Sequence, residues 1–496
     1  MGIIQRQSIK GTIYSYLGVI LGFVTTGLLY PFILEEGEIG VLKLLIAYSA
    51  LVAEVAGLGF SGVTVRLFPY FRDKATGHKG FLFLGIIVIF AGLVITLSGL
   101  AILQPWIIEK SIDKSMLFTD YFFLIYPLIV FQLSFAILDN YYTQLYNSTF
   151  AIFIRELVQR VLIIGSIVLF YFNFISFSQF VYLFVIMVSF PTLLLMYQIY
   201  RDGELKINPT LKYISPSLRK EIINVSMFSI LTSFTGVLIL NIDSIMLSTL
   251  VGIGATGIYA INYFFGVLVK VPIRPMVKIS NAVIAEAWKN NDVATIQSIY
   301  SKSTVNQLIM GSFLFLGVLI NIESIYQYLP ENYEQGKYVL IFIGFASWLE
   351  MATGVSKAVI GTSAHYKFQS VAMVGLALLV VATNFIFIPL YGLTGAGFAS
   401  FLSLFIFNVA RYFFIWYKFK MQPYNYKSLW IVLISIGLFF MAKLLPLTNN
   451  YFIDIAYRSI VFSITYGLII YYLKVSSDIN LMADKILISI FRKGRK

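Results

Sequence analysis

The 496-residue chain contains no cysteine and only two histidines, His78 and His365. The missing cysteines exclude disulfide bonds, thiolate metal sites and cysteine nucleophiles, and two histidines exclude a histidine-rich metal centre. The sequence also lacks a GxxxxGK[ST] phosphate loop and the GxSxG and HExxH motifs, so ATP hydrolysis and the corresponding hydrolases are not indicated. We therefore expect no enzyme, no cofactor and no bound metal.

Charged residues are scarce, at 12% of the chain, whereas 59% are hydrophobic and the mean hydropathy is +0.85. Soluble domains carry roughly 25% charged residues. A protein with half that share of charged residues must expose much of its surface to lipid. The 33 tyrosines agree with this interpretation, because tyrosine favours membrane interfaces. The composition predicts an all-α polytopic membrane protein.

Windows of about twenty apolar residues can cross a bilayer. The N-terminal stretch "MGIIQRQSIKGTIYSYLGVILGF" has a basic start but no small-residue cleavage site, so we interpret it as a retained first span. The predicted spans are 11–33, 40–65, 81–104, 119–145, 151–172, 178–199, 222–250, 256–281, 303–325, 338–361, 367–388, 394–417, 428–446 and 452–473.

The lysines and arginines between these spans are distributed very unevenly. With a cytoplasmic N-terminus, the inner segments carry 23 of them and the outer loops three. Cytoplasmic loops are enriched in cations, so the bias supports about fourteen spans with both termini cytoplasmic. The net charge of +13 therefore reflects topology and attraction to anionic membrane lipids, and nucleic acid is not an expected partner.

A polar inner segment at 201–221 contains two prolines and separates six spans from eight. It divides the chain into an N-terminal lobe (1–200, spans 1–6), a cytoplasmic linker (201–221), a C-terminal lobe (222–417, spans 7–12), and two extra spans with a basic tail (418–496). The turns "EEGEIGVLKLL" and "VGIGATGIYAI" open the second and eighth spans in a similar way, which hints at the internal repeats of secondary transporters.

The stretch "LVKVPIRPMVKIS" places three cations inside the eighth span. An ionisable group near the bilayer centre costs several kcal/mol, so it is normally paired, hydrated or functional. Lys278 is close enough to the inner boundary to act as an anchor, whereas Lys270 and Arg274 are deeper and are predicted to line a hydrated path. Pro272 and Pro275 remove backbone donors and predict a helix kink, for which a purely structural role is the alternative.

Further cations occur in the fifth and tenth spans. Arg160 lies within the first three turns of the fifth span, where a boundary anchor and a cavity cation are equally compatible with its depth. In the tenth span, Glu350 and Lys357 are seven residues apart and therefore share one helix face.

Carboxylates at mid-depth are candidates for binding a coupling proton or cation. These candidates are Glu54, Glu350 and Asp243. For Glu54 the alternative is an ion pair with a cation on another helix, and for Asp243 it is a paired carboxylate or one that caps a polar cavity. Asp139 and Arg411 lie near the inner boundary, where a simple anchoring role is favoured.

Three stretches resemble polysaccharide (O-antigen-type) flippases of the multidrug/oligosaccharidyl-lipid/polysaccharide (MOP) exporter superfamily. "LEEGEIGVLKLLIAYSALVAEVAGLGF" resembles the second span, "NIDSIMLSTLVGIGATGIYAINYFFGVLVKVP" the seventh and eighth, and "NFIFIPLYGLTGAGFASFLS" the turn between the eleventh and twelfth. The matching positions in the last two stretches are Asp243, Gly257, Tyr259, Pro389, Gly392 and Gly395.

The resemblance implies two six-helix lobes in a V-shaped bundle with two extra C-terminal helices. It also implies translocation of a polyprenyl-pyrophosphate-linked oligosaccharide across the bacterial cytoplasmic membrane, by alternating access through a cationic cavity. In that case Lys270, Arg274, Arg160 and Lys357 would hold the pyrophosphate, because cations suit phosphate strongly. A proton or sodium ion would couple the movement.

Other functions remain open. A lipid II flippase is the nearest alternative within the superfamily, and a MOP-type exporter of cationic drugs would need a cavity rich in carboxylates instead of cations. A membrane-embedded polysaccharide polymerase or ligase should need a substantial outer catalytic loop, and the outer loops are short.

Overall fold

The computed structural model describes residues 3–210, 212–446, 448, 450–481 and 483–485. These residues form α-helices and short connections, without a β-strand, so the predicted all-α fold is confirmed. The helices are α1 (Ile3–Gly22), α2 (Tyr30–Ile33), α3 (Glu36–Ala56), α4 (Phe60–Phe71), α5 (Phe81–Tyr121), α6 (Ile125–Gln144), α7 (Thr149–Phe153), α8 (Gln159–Tyr171), α9 (Phe177–Arg201), α10 (Pro216–Leu250), α11 (Ile253–Leu268), α12 (Ile273–Lys289), α13 (Val293–Ile320), α14 (Ile322–Tyr328), α15 (Lys337–Ala352), α16 (Ser356–Gly361), α17 (Tyr366–Phe419), α18 (Tyr426–Lys443) and α19 (Tyr451–Tyr472).

The predicted spans correspond to these helices. In the described part of the chain, ten helical stretches are long and apolar enough to cross a membrane, and α17 alone contains two of the predicted spans. The three remaining predicted spans are each formed by two helices: α7 with α8, joined by the π-helical segment Ile154–Val158, α11 with α12, and α15 with α16. The second predicted span is likewise divided between α3 and α4, at 57–59. The chain is thus a multi-pass membrane protein, and the interrupted spans are the ones that carry most of the predicted site residues.

Local sequence signals determine where several helices begin. Ser176 and Gln179 form a capping box at the start of α9, in which each side chain accepts a hydrogen bond from the other residue's backbone. Ser215 caps α10 through the backbone N–H of Leu218, and Pro216 occupies the first turn, where a missing N–H costs nothing. Apolar sequence on every side of the helix then continues each element into the membrane.

The chain folds as two compact units, Met1–Ile261 and Asn262–Lys496. Within the first, α3 packs against α5, α6 and α10. Within the second, α15 packs against α13 and α17, and α18 and α19 add a hydrophobic core with α13. The predicted lobes at 1–200 and 222–417 have other boundaries than these units, and the division into lobes stays a prediction.

The predicted linker at 201–221 begins as a segment fixed to the first unit. Glu204 lies 2.6 Å from Lys74 Nζ and 3.0 Å from His78 Nε2, and Asn208 Nδ2 donates to the Thr76 carbonyl at 3.1 Å. Partial burial raises the pKa of Glu204, but hydrogen bonds from Lys74 and His78 outweigh it and hold the pKa below its ordinary value. These contacts tie the connection after α9 to the loop between α4 and α5.

A single glycine joins the eleventh and twelfth predicted spans within α17. Gly392 has φ 55° and ψ −126°, a backbone conformation that residues with a Cβ rarely adopt. A Cβ at Gly395 would lie 1.9 Å from the Phe387 carbonyl oxygen, so the chain passes itself closely at this turn. Two residues of the quoted "PLYGLTGAG" motif are therefore required by backbone geometry.

Candidate anion-binding site

The eighth predicted span is interrupted immediately beside Lys270. Helix α11 ends at Leu268 and α12 begins at Ile273, with Pro272 at the position before the new helix. Between them, the Lys270 N–H donates to the Val267 carbonyl and the Ile273 N–H to the Lys270 carbonyl, each at 3.2 Å. These are bonds across three residues, which tighten the chain where proline prevents a regular helix. Lys270 is thereby held in a non-helical turn.

Two other predicted residues of this span lie outside the described side chains. Arg274 and Pro275 fall within the backbone of α12, but their side-chain positions are not described, and the same holds for Lys278. Their predicted roles stay predictions.

The tenth predicted span is interrupted between Glu350 and Lys357. Helix α15 ends at Ala352 and α16 begins at Ser356, and Gly354 between them has φ +56°. A Cβ at Gly354 would lie 2.3 Å from Thr304 Oγ1 of α13, so the break is pressed closely against that helix. Non-helical backbone at membrane depth is tolerated only inside protein or beside water, and this break fits the first case.

The two interruptions bring three charged side chains together in the second unit. Glu350 Oε2 lies 3.2 Å from Lys270 Nζ, while Glu350 Oε1 pairs with Lys357 Nζ. The Glu350 side chain is 11% exposed, whereas Lys270 and Lys357 are 29% and 45% exposed. One buried carboxylate thus bridges two ammonium groups that remain accessible.

Arg411 adds a third cation that the sequence did not single out as a site residue. It is 1% exposed, and its Nη2 donates to Thr353 Oγ1 at 3.3 Å and to Asn408 Oδ1. Its guanidinium lies 4.7 Å from the Phe407 ring centroid, and its Nε and Nη1 have no hydrogen-bond partner among the described residues. Burial contradicts the anchoring role that its position near the inner boundary favoured, because an anchor would reach the headgroups.

The resulting group, which we call the basic cluster, consists of Lys270, Lys357 and Arg411 around Glu350. Three cations face one carboxylate, and charged groups in a low-dielectric interior attract anions far more strongly than they would in water. Lysine and arginine are also the side chains that bind phosphate oxygens through charge-assisted hydrogen bonds. The basic cluster is chemically suited to an anionic, phosphate-bearing ligand.

In the first unit, Arg160 pairs with a carboxylate on its own helix. Its Nη2 and Nε lie 3.2 and 3.3 Å from Glu156 Oε2, one helical turn earlier. Glu156 lies within a π-helical segment, Ile154–Val158, and Arg160 follows it directly. The pair packs on α1, where Cβ atoms at Gly18 and Gly22 would lie 2.4 Å from Glu156 Oε2 and Arg160 Nη1. Arg160 is therefore charge-balanced locally.

The other two candidate carboxylates are in different surroundings. Glu54 on α3 is half-buried and has no hydrogen-bond or ion-pair partner among the described residues. Asp243 is 4% exposed and accepts a 2.6 Å hydrogen bond from the Tyr259 hydroxyl. Near it, Lys43 Nζ donates to Asn241 Oδ1 at 3.2 Å. Lys43 was not predicted as a site residue, because it lies near the start of the second predicted span, where its depth in the membrane does not single it out.

Within the described residues, no group of three or more histidine, aspartate or glutamate side chains could hold a metal ion. The features that define the site are its cations, the carboxylate that bridges two of them, and the two helix breaks.

The comparisons with known proteins give structural matches only. No family model and no curated protein sequence matches the chain. Similar solved structures include the lipid II flippase MurJ in an inward closed conformation, 15% identical over 94% of this chain and 99% of that chain, with a TM-score of 0.71.

Two others belong to transporters described as MOP superfamily members. An inward-facing multidrug resistance MATE family transporter is 15% identical, covers 88% of this chain and 99% of that chain, and has a TM-score of 0.58. A transporter from Pyrococcus furiosus, whose binding pocket is described as having reverse polarity, is 15% identical over 89% and 96%, with a TM-score of 0.54. The chain therefore has the fold of MOP superfamily transporters.

Proposed function

We propose that the chain is a flippase that translocates polyprenyl-pyrophosphate-linked oligosaccharide units across the bacterial cytoplasmic membrane for surface polysaccharide biosynthesis. The observation that carries the proposal is the basic cluster: three cations and one carboxylate, gathered at two helix interruptions inside a membrane-spanning unit. A pyrophosphate supplies several negatively charged oxygens, which is what such a cluster can bind.

The same cluster argues against export of cationic drugs. A cationic ligand would be repelled by Lys270, Lys357 and Arg411, and Glu350 already pairs with two of them. We also propose that no covalent chemistry takes place and that translocation proceeds by alternating access. The predicted loop charges support an inner-membrane protein with both termini cytoplasmic.

Glu54 is the carboxylate best suited to bind a coupling proton or sodium ion. It is half-buried inside α3 and lacks a partner cation among the described residues, whereas Asp243 and Glu350 already have hydrogen-bonding or ionic partners. A carboxylate of this kind changes its charge or its ligand at a moderate energetic cost.

Lipid II is a second candidate substrate. The structure of the lipid II flippase MurJ matches 94% of this chain with a TM-score of 0.71, and lipid II shares the polyprenyl pyrophosphate group that the basic cluster would recognise. The cluster alone does not discriminate between glycans, so the substrate test must include both lipids.

The test is reconstitution into liposomes, followed by measurement of the transfer of labelled lipids between leaflets. The panel contains a polyprenyl-pyrophosphoryl oligosaccharide, lipid II and a cationic dye. We expect transfer of the oligosaccharide lipid and none of the dye. Faster transfer of lipid II would assign the second candidate, and transport of the dye alone would refute the proposed function.

A further inference from the structure

Each oxygen of the Glu350 carboxylate is engaged by a different lysine. Lys270 contacts Oε2 at 3.2 Å, and Lys357 contacts Oε1. This is how two oxygens of a phosphate would be bound by the same two ammonium groups. In the described structure, the lysines that suit a phosphate are therefore occupied by an anion belonging to the protein.

Arg411 shows where this carboxylate could go when it leaves the lysines. Its Nη2 donates to Thr353 Oγ1, and the Thr353 hydroxyl in turn donates to the Glu350 carbonyl at 2.8 Å. Arg411 is also one of the charges that interact with Glu350, together with Lys270 and Lys357. Its Nε and Nη1 are buried and without partners among the described residues, so they are donors available to a carboxylate nearby.

We propose that Glu350 is a built-in anion that holds Lys270 and Lys357 until the phosphates of the substrate replace it, whereupon it pairs with Arg411. This inference rests on the proposed function, and it makes Glu350 a specificity-determining residue instead of a coupling-ion ligand.

The exchange has a consequence for specificity. A ligand with a single negative charge merely replaces the Glu350 carboxylate at the lysines. It adds no binding free energy to offset the cost of displacing Glu350. A pyrophosphate brings additional charge and additional oxygens to the same lysines, so its binding offsets the displacement. Glu350 thereby selects lipids that carry pyrophosphate over lipids that carry a single charge.

The test measures the affinity of the full-length protein in detergent for inorganic pyrophosphate, by calorimetric titration. Glu350→Gln keeps the side-chain shape but removes the competing charge, and we expect it to bind about 10-fold more tightly than the wild type, equal to 1.4 kcal/mol. Arg411→Gln should bind about 10-fold more weakly, because the released carboxylate then has no partner. In the variant that combines Glu350→Gln with Arg411→Gln, the arginine substitution should no longer weaken binding, because no displaced carboxylate needs Arg411 as a partner.

Glu323→Gln removes an exposed carboxylate in the same unit and should leave the affinity unchanged. If Arg411→Gln does not fold, Glu350→Gln still decides, because its tighter binding does not depend on Arg411. Unchanged or weaker binding by Glu350→Gln would overturn the inference. Failure of the proposed function looks different: the wild type and Glu350→Gln would then both lack binding that depends on Lys270 and Lys357.

Discussion

The two units each contain a group of charges in the predicted membrane spans, and the two groups differ in their balance of positive and negative charge. In the first unit, Glu156 and Arg160 lie one turn apart on the same stretch of chain and neutralise each other. In the second, Lys270 and Lys357 come from different elements and share Glu350, and Arg411 is linked to the same turn through Thr353. Solvent access does not distinguish them, because Arg160 is 33% exposed and Lys270 29%. Excess positive charge is what suits only the second group to an anion.

Helix irregularity accompanies both groups. The π-helical segment Ile154–Val158 contains Glu156 of the first group. In the second group, Lys270 lies within the break at 269–272, and the break at 353–355 separates Glu350 from Lys357. Such irregularities are frequent at functional sites. The comparison teaches that an interruption marks where polar groups are accommodated in the membrane, while the charge balance determines what those groups can bind.

The largest expected effect is the loss of lipid transport when lysines of the basic cluster are replaced. Lys270→Ala combined with Lys357→Ala removes two charge-assisted hydrogen bonds, each worth about 1.5–3 kcal/mol, so lipid transfer should fall by about 100-fold or more. Arg160→Ala should reduce it by less than about 10-fold, because its charge is already balanced by Glu156. The measurement is the leaflet-transfer rate in liposomes at equal protein content. Equal losses in the two units would remove the distinction between them.

Stability should show the same contrast on a smaller scale. Glu350→Ala leaves Lys270 and Lys357 without their carboxylate, and because both lysines are partly exposed the cost should be about 1–3 kcal/mol. Glu156→Ala should cost no more than about 1 kcal/mol, since its pair is partly exposed and local. Tryptophan fluorescence during denaturant unfolding in detergent measures both. A smaller loss for Glu350→Ala than for Glu156→Ala would be incompatible with a bridging role.

Glu204 provides a comparison outside the predicted membrane spans. Glu204→Gln weakens its bonds with Lys74 and His78 and should lower stability at pH 7 by about 1–2 kcal/mol. Because the pKa of Glu204 is held below its ordinary value, its charge stabilises the fold above that value, and the stabilisation is lost as pH falls through the lowered pKa. The unfolding midpoints of wild type and variant should therefore differ at pH 7 and converge as the pH falls through the lowered pKa of Glu204. A constant difference across this range would show that ionisation is not involved.

The smallest effect is expected from Gly22→Ala. The new Cβ would lie 2.4 Å from Arg160 Nη1, but the guanidinium is the end of a flexible side chain and can move. The cost should stay below about 1 kcal/mol, the usual range for a partly exposed ion pair. Gly165→Ala is the matched control, because a Cβ there meets nothing within 4 Å. A larger loss at Gly22 than at Glu156→Ala would mean that close packing on α1, and not the ion pair, matters in this unit.

Hydropathy predicted the membrane spans well because it reports composition along a single helix. The sharing of one face by Glu350 and Lys357 follows from their spacing, and the structure does bring them together, although a break lies between them. Spacing gives no information about Lys270, since it comes from a different helix and meets Glu350 only through tertiary packing.

Depth along a span was a poor guide to Arg411. The sequence places it near the inner boundary, but packing against Phe407, Asn408 and Thr353 buries it. Neighbouring helices determine burial, and a single sequence does not identify those neighbours. The same reason explains why the pairing of Arg160 with Glu156 was predictable in spacing, whereas its packing on Gly18 and Gly22 was not.

The most direct test of the central claim is whether the basic cluster binds a lipid pyrophosphate. Native mass spectrometry of the purified protein with polyprenyl pyrophosphate would compare the wild type, the Lys270→Ala, Lys357→Ala double variant, and Lys289→Ala as an exposed-lysine control. We predict a bound lipid on the wild type and on Lys289→Ala, and at least a 10-fold loss of occupancy on the double variant, from the removal of two charge-assisted hydrogen bonds. Equal occupancy on all three proteins would contradict the account.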